Sequence, residues 1–171
     1  MNIRISGFGG QGVILSGVIL GWAAILDGKN AIQTQSYGSS ARGGACKCDV
    51  IIQDTDIYEL EPVKIDILVS FSQPAYDKFK NSLKSDGTLF IDSDLVQNAE
   101  HTATKHSIPS TDIAFKEIGQ KIMANIVMLG YLIAKTGIID TESMEKSIER
   151  YVPAKFLEEN INAFRKGMEL D

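Results

Sequence analysis

Two glycine-dense stretches hold most of the residues whose types and spacing could do chemistry. In "SGFGGQGV", Gly7, Gly9, Gly10 and Gly12 surround Gln11 where a short strand gives way to a helix. Bare main chain of this kind lets a ligand come close, and the amides of the helix start favour an anion. Gly7, Gly9 and Gly12 also fit the G-x-G-x-x-G spacing of dinucleotide binders. Such folds place a carboxylate at the end of the second strand for the ribose hydroxyls. Here that strand ends "QTQSYG", and the nearest acid, Asp27, comes before it. A free-standing NAD- or FAD-dependent oxidoreductase is therefore the disfavoured alternative. The first loop is left with two readings, a phosphate cradle or a packing turn.

The second stretch, "QSYGSSARGGACKCDV", sets Tyr37, Gly38, Arg42, Gly43 and Gly44 between two strands. Paired glycines beside an arginine suit an anion or a protein contact. The plainer alternative is a flexible hairpin with a solvated Arg42. The two loops are expected to lie side by side at one edge of a sheet. Main-chain amides and Arg42 would there favour an anion through charge-assisted hydrogen bonds. A valine at Gly9 or Gly10 is expected to block docking or folding.

Other reactive side chains are sparse. Cys46 and Cys48 form no Cys-x-x-Cys array and read as small buried residues. An iron–sulfur cluster normally takes four cysteines, more than this chain has. No Asp/Asn spacing suits the Mg²⁺ of a diphosphate cofactor. His101 and His106 read as surface residues rather than a proton relay. Asn125 is the one polar side chain inside a long apolar helix, so it must be hydrogen-bonded, either to neighbouring backbone or to a ligand or partner.

The elements that must position these residues follow from periodicity. "NIRIS" is a strand, and "QGVILSGVILGWAAIL" a helix apolar nearly all round, with Trp22 in the core. Gly17 and Gly21 share one of its faces, where a sheet can approach. "NAIQTQ" and "ACKCDVIIQD" are the next strands; the second puts Cys46, Cys48, Val50 and Ile52 on one face and Lys47, Asp49 and Gln53 on a wet one. The loop between them is too short for a parallel crossover, so the pair should be antiparallel. "IDILVSF" is a buried strand, Gln73–Lys84 a helix, "SDG" a turn, and Thr88–Asp92 a strand. "TATKHSIP" is a candidate edge strand. Helices follow over Asp112–Gly119 and Lys121–Gly137, then one capped by Thr141 and one begun by Pro153. The fold expected is α/β: a three-layer sandwich with a mixed, mostly parallel sheet, a helical C-terminal part and a Rossmann-like first β-α unit.

At 171 residues and net charge −5, the chain is expected to form one domain, with no basic face for nucleic acid. The apolar run from Gln11 to Leu26 is short for a membrane span, and no leader is visible, which suggests a cytoplasmic protein.

Together the two loops, followed by "DILVSFSQPAYDKF" and the late "ANIVMLGYLIAKTG", resemble the gamma subunit of 2-oxoacid:ferredoxin oxidoreductases. The likeness spans nearly the whole chain, 1–171, and is greatest to the 2-oxoglutarate type; pyruvate, branched-chain and indolepyruvate types stay open. It implies a subunit that is inactive alone, in a complex that oxidatively decarboxylates a 2-oxoacid, forms the acyl-coenzyme A and reduces ferredoxin. Thiamine diphosphate, Mg²⁺ and iron–sulfur clusters would sit on alpha, beta and, where present, delta subunits. Gly7, Gly9, Gly10, Gln11, Gly12, Tyr37, Gly38, Arg42, Gly43, Gly44 and Asn125 match the family motifs. The resemblance makes them candidates for the coenzyme A site, with a purely docking subunit as the alternative. Separated from its partners, the chain would expose an apolar face and is expected to self-associate.

Overall fold

A computed structural model describes residues 1–37 and 45–171. Six strands form one sheet in the order β2-β3-β1-β4-β5-β6: β1 Asn2–Gly7, β2 Asn30–Ser36, β3 Cys46–Gln53, β4 Ile65–Ser70, β5 Leu83–Asp92 and β6 Thr104–Ile108. The pairs β1–β4, β4–β5 and β5–β6 are parallel. The pairs β2–β3 and β3–β1 are antiparallel. The sheet is thus mixed and mostly parallel, as the sequence implied. The chain crosses from β1 to β2 through helix α1 (Val13–Leu26), and β3 turns back to insert between them.

Each face of the sheet has its own core. On one face, Ile3, Ile5, Cys48, Val50, Ile67 and Val69 pack under α1, α4 (Ala124–Thr136), α5 (Thr141–Tyr151) and α6 (Leu157–Met168). On the other, Leu68, Leu89 and Ile91 meet Ala75, Tyr76 and Phe79 of α2 (Gln73–Phe79). Gly17 approaches the sheet closely; a Cβ there would overlap the Cys48 sulfur.

Glycines also bring α4 and α6 together. In α4, a side chain at Gly130 would run into the carbonyl of Phe164 and lie 3.0 Å from the amide of Met168. In α6, one at Gly167 would run into the carbonyl of Val127 and lie 2.9 Å from the amide of Tyr131. The helices touch backbone to backbone at two reciprocal glycines.

Several sequence expectations need correction. The Lys47/Asp49 face of β3 is not wet: Asp49 is 1% exposed and accepts a bidentate pair from Arg4, Nε to Oδ1 at 2.6 Å and Nη2 to Oδ2 at 2.8 Å. Lys47 adds a third contact at 2.9 Å. The "SDG" segment lies within β5, whose pairing jumps from Ile65–Leu83 to Ile67–Thr88 across a bulge. The helix at 112–119 is a short α3 (Ser110–Ile113) that widens into a π turn over Ala114–Ile118. Asp140, not Thr141, caps α5; its carboxylate accepts from the amide of Ser143 at 2.8 Å. Pro153 precedes a 3₁₀ turn, and α6 starts at Leu157. Trp22 is only half-buried, with the Arg150 guanidinium 4.5 Å over its ring.

Candidate functional site

The turn between β1 and α1 is built by its own glutamine. Gln11 Oε1 accepts from the amide of Phe8 at 2.6 Å, and Gln11 Nε2 donates to the Phe71 carbonyl at 2.8 Å, just beyond β4. One side-chain amide thus closes the loop and fastens it to the neighbouring strand. Gly7 leaves room for it, since a Cβ there would sit 2.5 Å from Gln11 Oε1. Both polar atoms of the Gln11 amide thus have partners within the protein. Gln11→Ala should cost about 1–3 kcal/mol, because it frees two partners at once; a urea melt measures this.

Gly10 and Gly12 have φ of 92° and 73°, the left-handed region where a side chain is strained. Gly12 also faces α4: a Cβ would lie 2.7 Å from Asn125 Cγ. Asn125, 3% exposed, donates to the Gly12 carbonyl at 3.3 Å and to Ser16 Oγ at 3.1 Å. Asn125 thus ties down the start of α1, and it also lines the cleft beside the glycine loop. Gly9 differs from its neighbours. Among the described residues no atom lies within 4 Å of where its Cβ would be, so none of them would obstruct a side chain there.

Gly9, Gly10 and Gly12 border a cleft of about 570 Å³. Tyr37, 67% exposed, and Cys46 stand on the side where the second glycine loop leaves and rejoins the sheet. Ile122 and Met123 ahead of α4, and Phe156 and Asn160 at the start of α6, form the opposite wall. Among the described residues no charged side chain lines the cleft. Gly38, Arg42, Gly43 and Gly44 lie outside the described residues.

The thiols beside the cleft are inert. Burial raises the Cys46 pKa and pushes that of Cys48 up to about 11, so both stay protonated. Among the described residues no three of His, Cys, Asp and Glu gather as a metal site. The two histidines act separately. His101 Nδ1 accepts from the amide of Ala103, while His106 stacks on Phe90 at 4.8 Å and burial lowers its pKa.

Sequence reasoning missed the apolar wall. Ile122, Met123 and Phe156 read there as ordinary helix residues, and only the break at Pro153 hinted that Val152–Phe156 turns toward the glycine loop. It also missed Asp92, fully buried at the end of β5, whose Oδ2 accepts from Ser110 Oγ at 2.7 Å and from the Thr111 amide at 3.1 Å. That carboxylate fixes the start of α3.

Residues 2–170 match the pyruvate ferredoxin/flavodoxin oxidoreductase family. The chain belongs to that family. It is 53% identical to the 2-oxoglutarate synthase subunit KorC of Methanocaldococcus jannaschii, over 99% of this chain and 92% of that protein. It is 44% identical to the KorC of Methanothermobacter marburgensis, over 99% and 95%. In fold it matches the gamma subunit of a keto/oxoacid ferredoxin oxidoreductase from Geobacter sulfurreducens, with TM-score 0.88 and 44% identity over 98% of this chain and 96% of that one. This oxidoreductase chain is accordingly a gamma-type subunit with partner subunits, and a free-standing dinucleotide enzyme is not favoured. Among the described residues of the gamma chain, no helix is long and apolar enough to cross a membrane.

Proposed function

We propose that this gamma chain, as one unit over 1–171, serves a cytoplasmic complex that oxidises 2-oxoglutarate. The complex would release carbon dioxide, pass the acyl group to coenzyme A and give two electrons to ferredoxin. The observation that carries this reading is the 53% identity to a 2-oxoglutarate synthase subunit along 99% of the chain. Thiamine diphosphate with its Mg²⁺, and the iron–sulfur clusters, are assigned to the alpha and beta subunits and a delta subunit where present. Two cysteines, Cys46 and Cys48, are fewer than the four a cluster normally takes. The chain is accordingly inactive alone.

This chain's own contribution is to receive coenzyme A at the glycine cleft. Main-chain amides at Gly9, Gly10 and Gly12 and the first turn of α1 present a bare, anion-favouring surface. The apolar wall of Ile122, Met123 and Phe156 suits the uncharged arm of the molecule. Since the described lining brings no charge, the countercharge for the diphosphate falls to Arg42.

In the assembled complex, Arg42→Ala should raise the KM for coenzyme A about 10-fold or more, as expected for a lost charged hydrogen bond. Ferredoxin reduction from the thiamine-bound intermediate without coenzyme A should be unaffected. An unchanged KM would overturn the assignment. Gly9→Val should fold with an unaltered melting temperature, yet obstruct the cleft and raise the same KM.

A further inference from the structure

The chain between β3 and β4, residues 54–64, is a strap that exposes large apolar side chains among its charged ones. It crosses the sheet face opposite α1, the face that carries Arg4 and Asp49. Its backbone is tied down from below. Gln53 Nε2 donates to the Asp56 carbonyl at 2.6 Å, Arg4 Nη2 to the Pro62 carbonyl at 3.4 Å, and Asn2 Nδ2 to the Lys64 carbonyl at 3.2 Å. Lys47 holds Glu61, and Pro62 is buried. With the backbone so anchored, the strap turns large apolar side chains outward: Tyr58 is 88% exposed, Leu60 64% and Val63 85%. Interspersed with them are Asp54, Asp56, Glu59 and Glu61, against the single Lys64. A loop tethered through its backbone that displays three large apolar side chains marks a docking surface.

We infer that this strap docks a partner subunit through an apolar hollow ringed by lysine and arginine. Charge decides between the candidate occupants. A second copy would meet the strap across a two-fold axis, acid against acid, and like charges across a contact disfavour it. A basic rim on a different chain gains what a second copy would lose. None of the residues lining the glycine cleft comes from the strap. The surface is thus an assembly contact separate from the proposed coenzyme A site. It rests on the chain being a subunit, not on the coenzyme A reading.

The test measures binding of the full chain to the remaining subunits of the host complex, co-expressed without it. Tyr58→Ser/Leu60→Ser/Val63→Ser should bind about 100-fold more weakly, since exposed aromatic and aliphatic anchors dominate such contacts. Wild-type affinity should fall as salt rises, and Glu59→Lys should weaken binding and flatten that dependence. Turnover of the triple variant, driven into the complex at high concentration, should keep its KM for coenzyme A, which separates this proposal from the cleft assignment. Unchanged affinity in both variants would overturn the inference. So would a drop in melting temperature of the triple variant, which would mean that the three side chains pack internally. Loss of a self-associated form in that variant would also overturn it, in favour of a second copy.

Discussion

Gly130→Ala is expected to lower stability by about 3 kcal/mol, the upper end for forcing one extra group into a packed interior. The added methyl would meet the Phe164 carbonyl, which belongs to the α6 backbone and cannot rotate away as a side-chain tip can. Gly167→Ala should do the same from the other side, against the Val127 carbonyl. For a chain of this size each loss corresponds to a fall in Tm of roughly 6–12 °C. Gly9→Ala, which meets no atom of the described residues, should change stability by less than about 0.5 kcal/mol and serves as the control. The effect reaches the cleft, because α4 carries Asn125 and α6 carries Asn160. Helices pushed apart here would widen the wall that faces the glycine loop. Chemical denaturation of the three variants decides the matter; equal midpoints would refute the reciprocal contact.

Asp49→Ala should be as damaging, at about 3–5 kcal/mol, because it strands a buried cation. Arg4 is 6% exposed and its guanidinium has few other acceptors: Ser82 Oγ at 3.1 Å and the Pro62 carbonyl at 3.4 Å. Removing both charges is different. Arg4→Met combined with Asp49→Leu takes away the desolvation cost together with the attraction, and should return stability to within about 1–2 kcal/mol of wild type. A double-mutant cycle in urea measures this. Should Asp49→Ala prove as mild as the double variant, the pair would not be acting as a desolvated one.

How much of the molecule is legible in the sequence depends on how local the signal is. The alternation of Cys46, Cys48, Val50 and Ile52 marks β3 and its inner face, and the short preceding loop gives its antiparallel sense. The glycine spacing locates the β1–α1 turn. What stays hidden depends on residues far apart in the chain. Asp49 looks solvated because the charge that buries it, Arg4, stands 45 positions away. Gln11 looks like a ligand-facing residue because its acceptor at Phe71 is 60 positions distant. The bulge in β5 reads as a turn, since Ser85–Asp86–Gly87 carries turn chemistry and only pairing with β4 carries the strand through it. Asp140 and Thr141 are both good caps, and local chemistry does not choose between neighbours.

The position of β1 at the centre of the sheet, between an antiparallel and a parallel neighbour, has a consequence for biogenesis. This strand leaves the ribosome before all the others, yet one of its flanks is β4, and the hydrogen bond that joins Ser6 to Ser70 spans 64 positions. Until that distance has been synthesised, Ile3 and Ile5 have no complete partner and their strand edge stays open. Loops this long slow the search for native pairing. The nascent chain therefore passes through a window in which this central strand is unpaired along one edge, and chaperone occupancy of the emerging segment should set the yield of folded subunit.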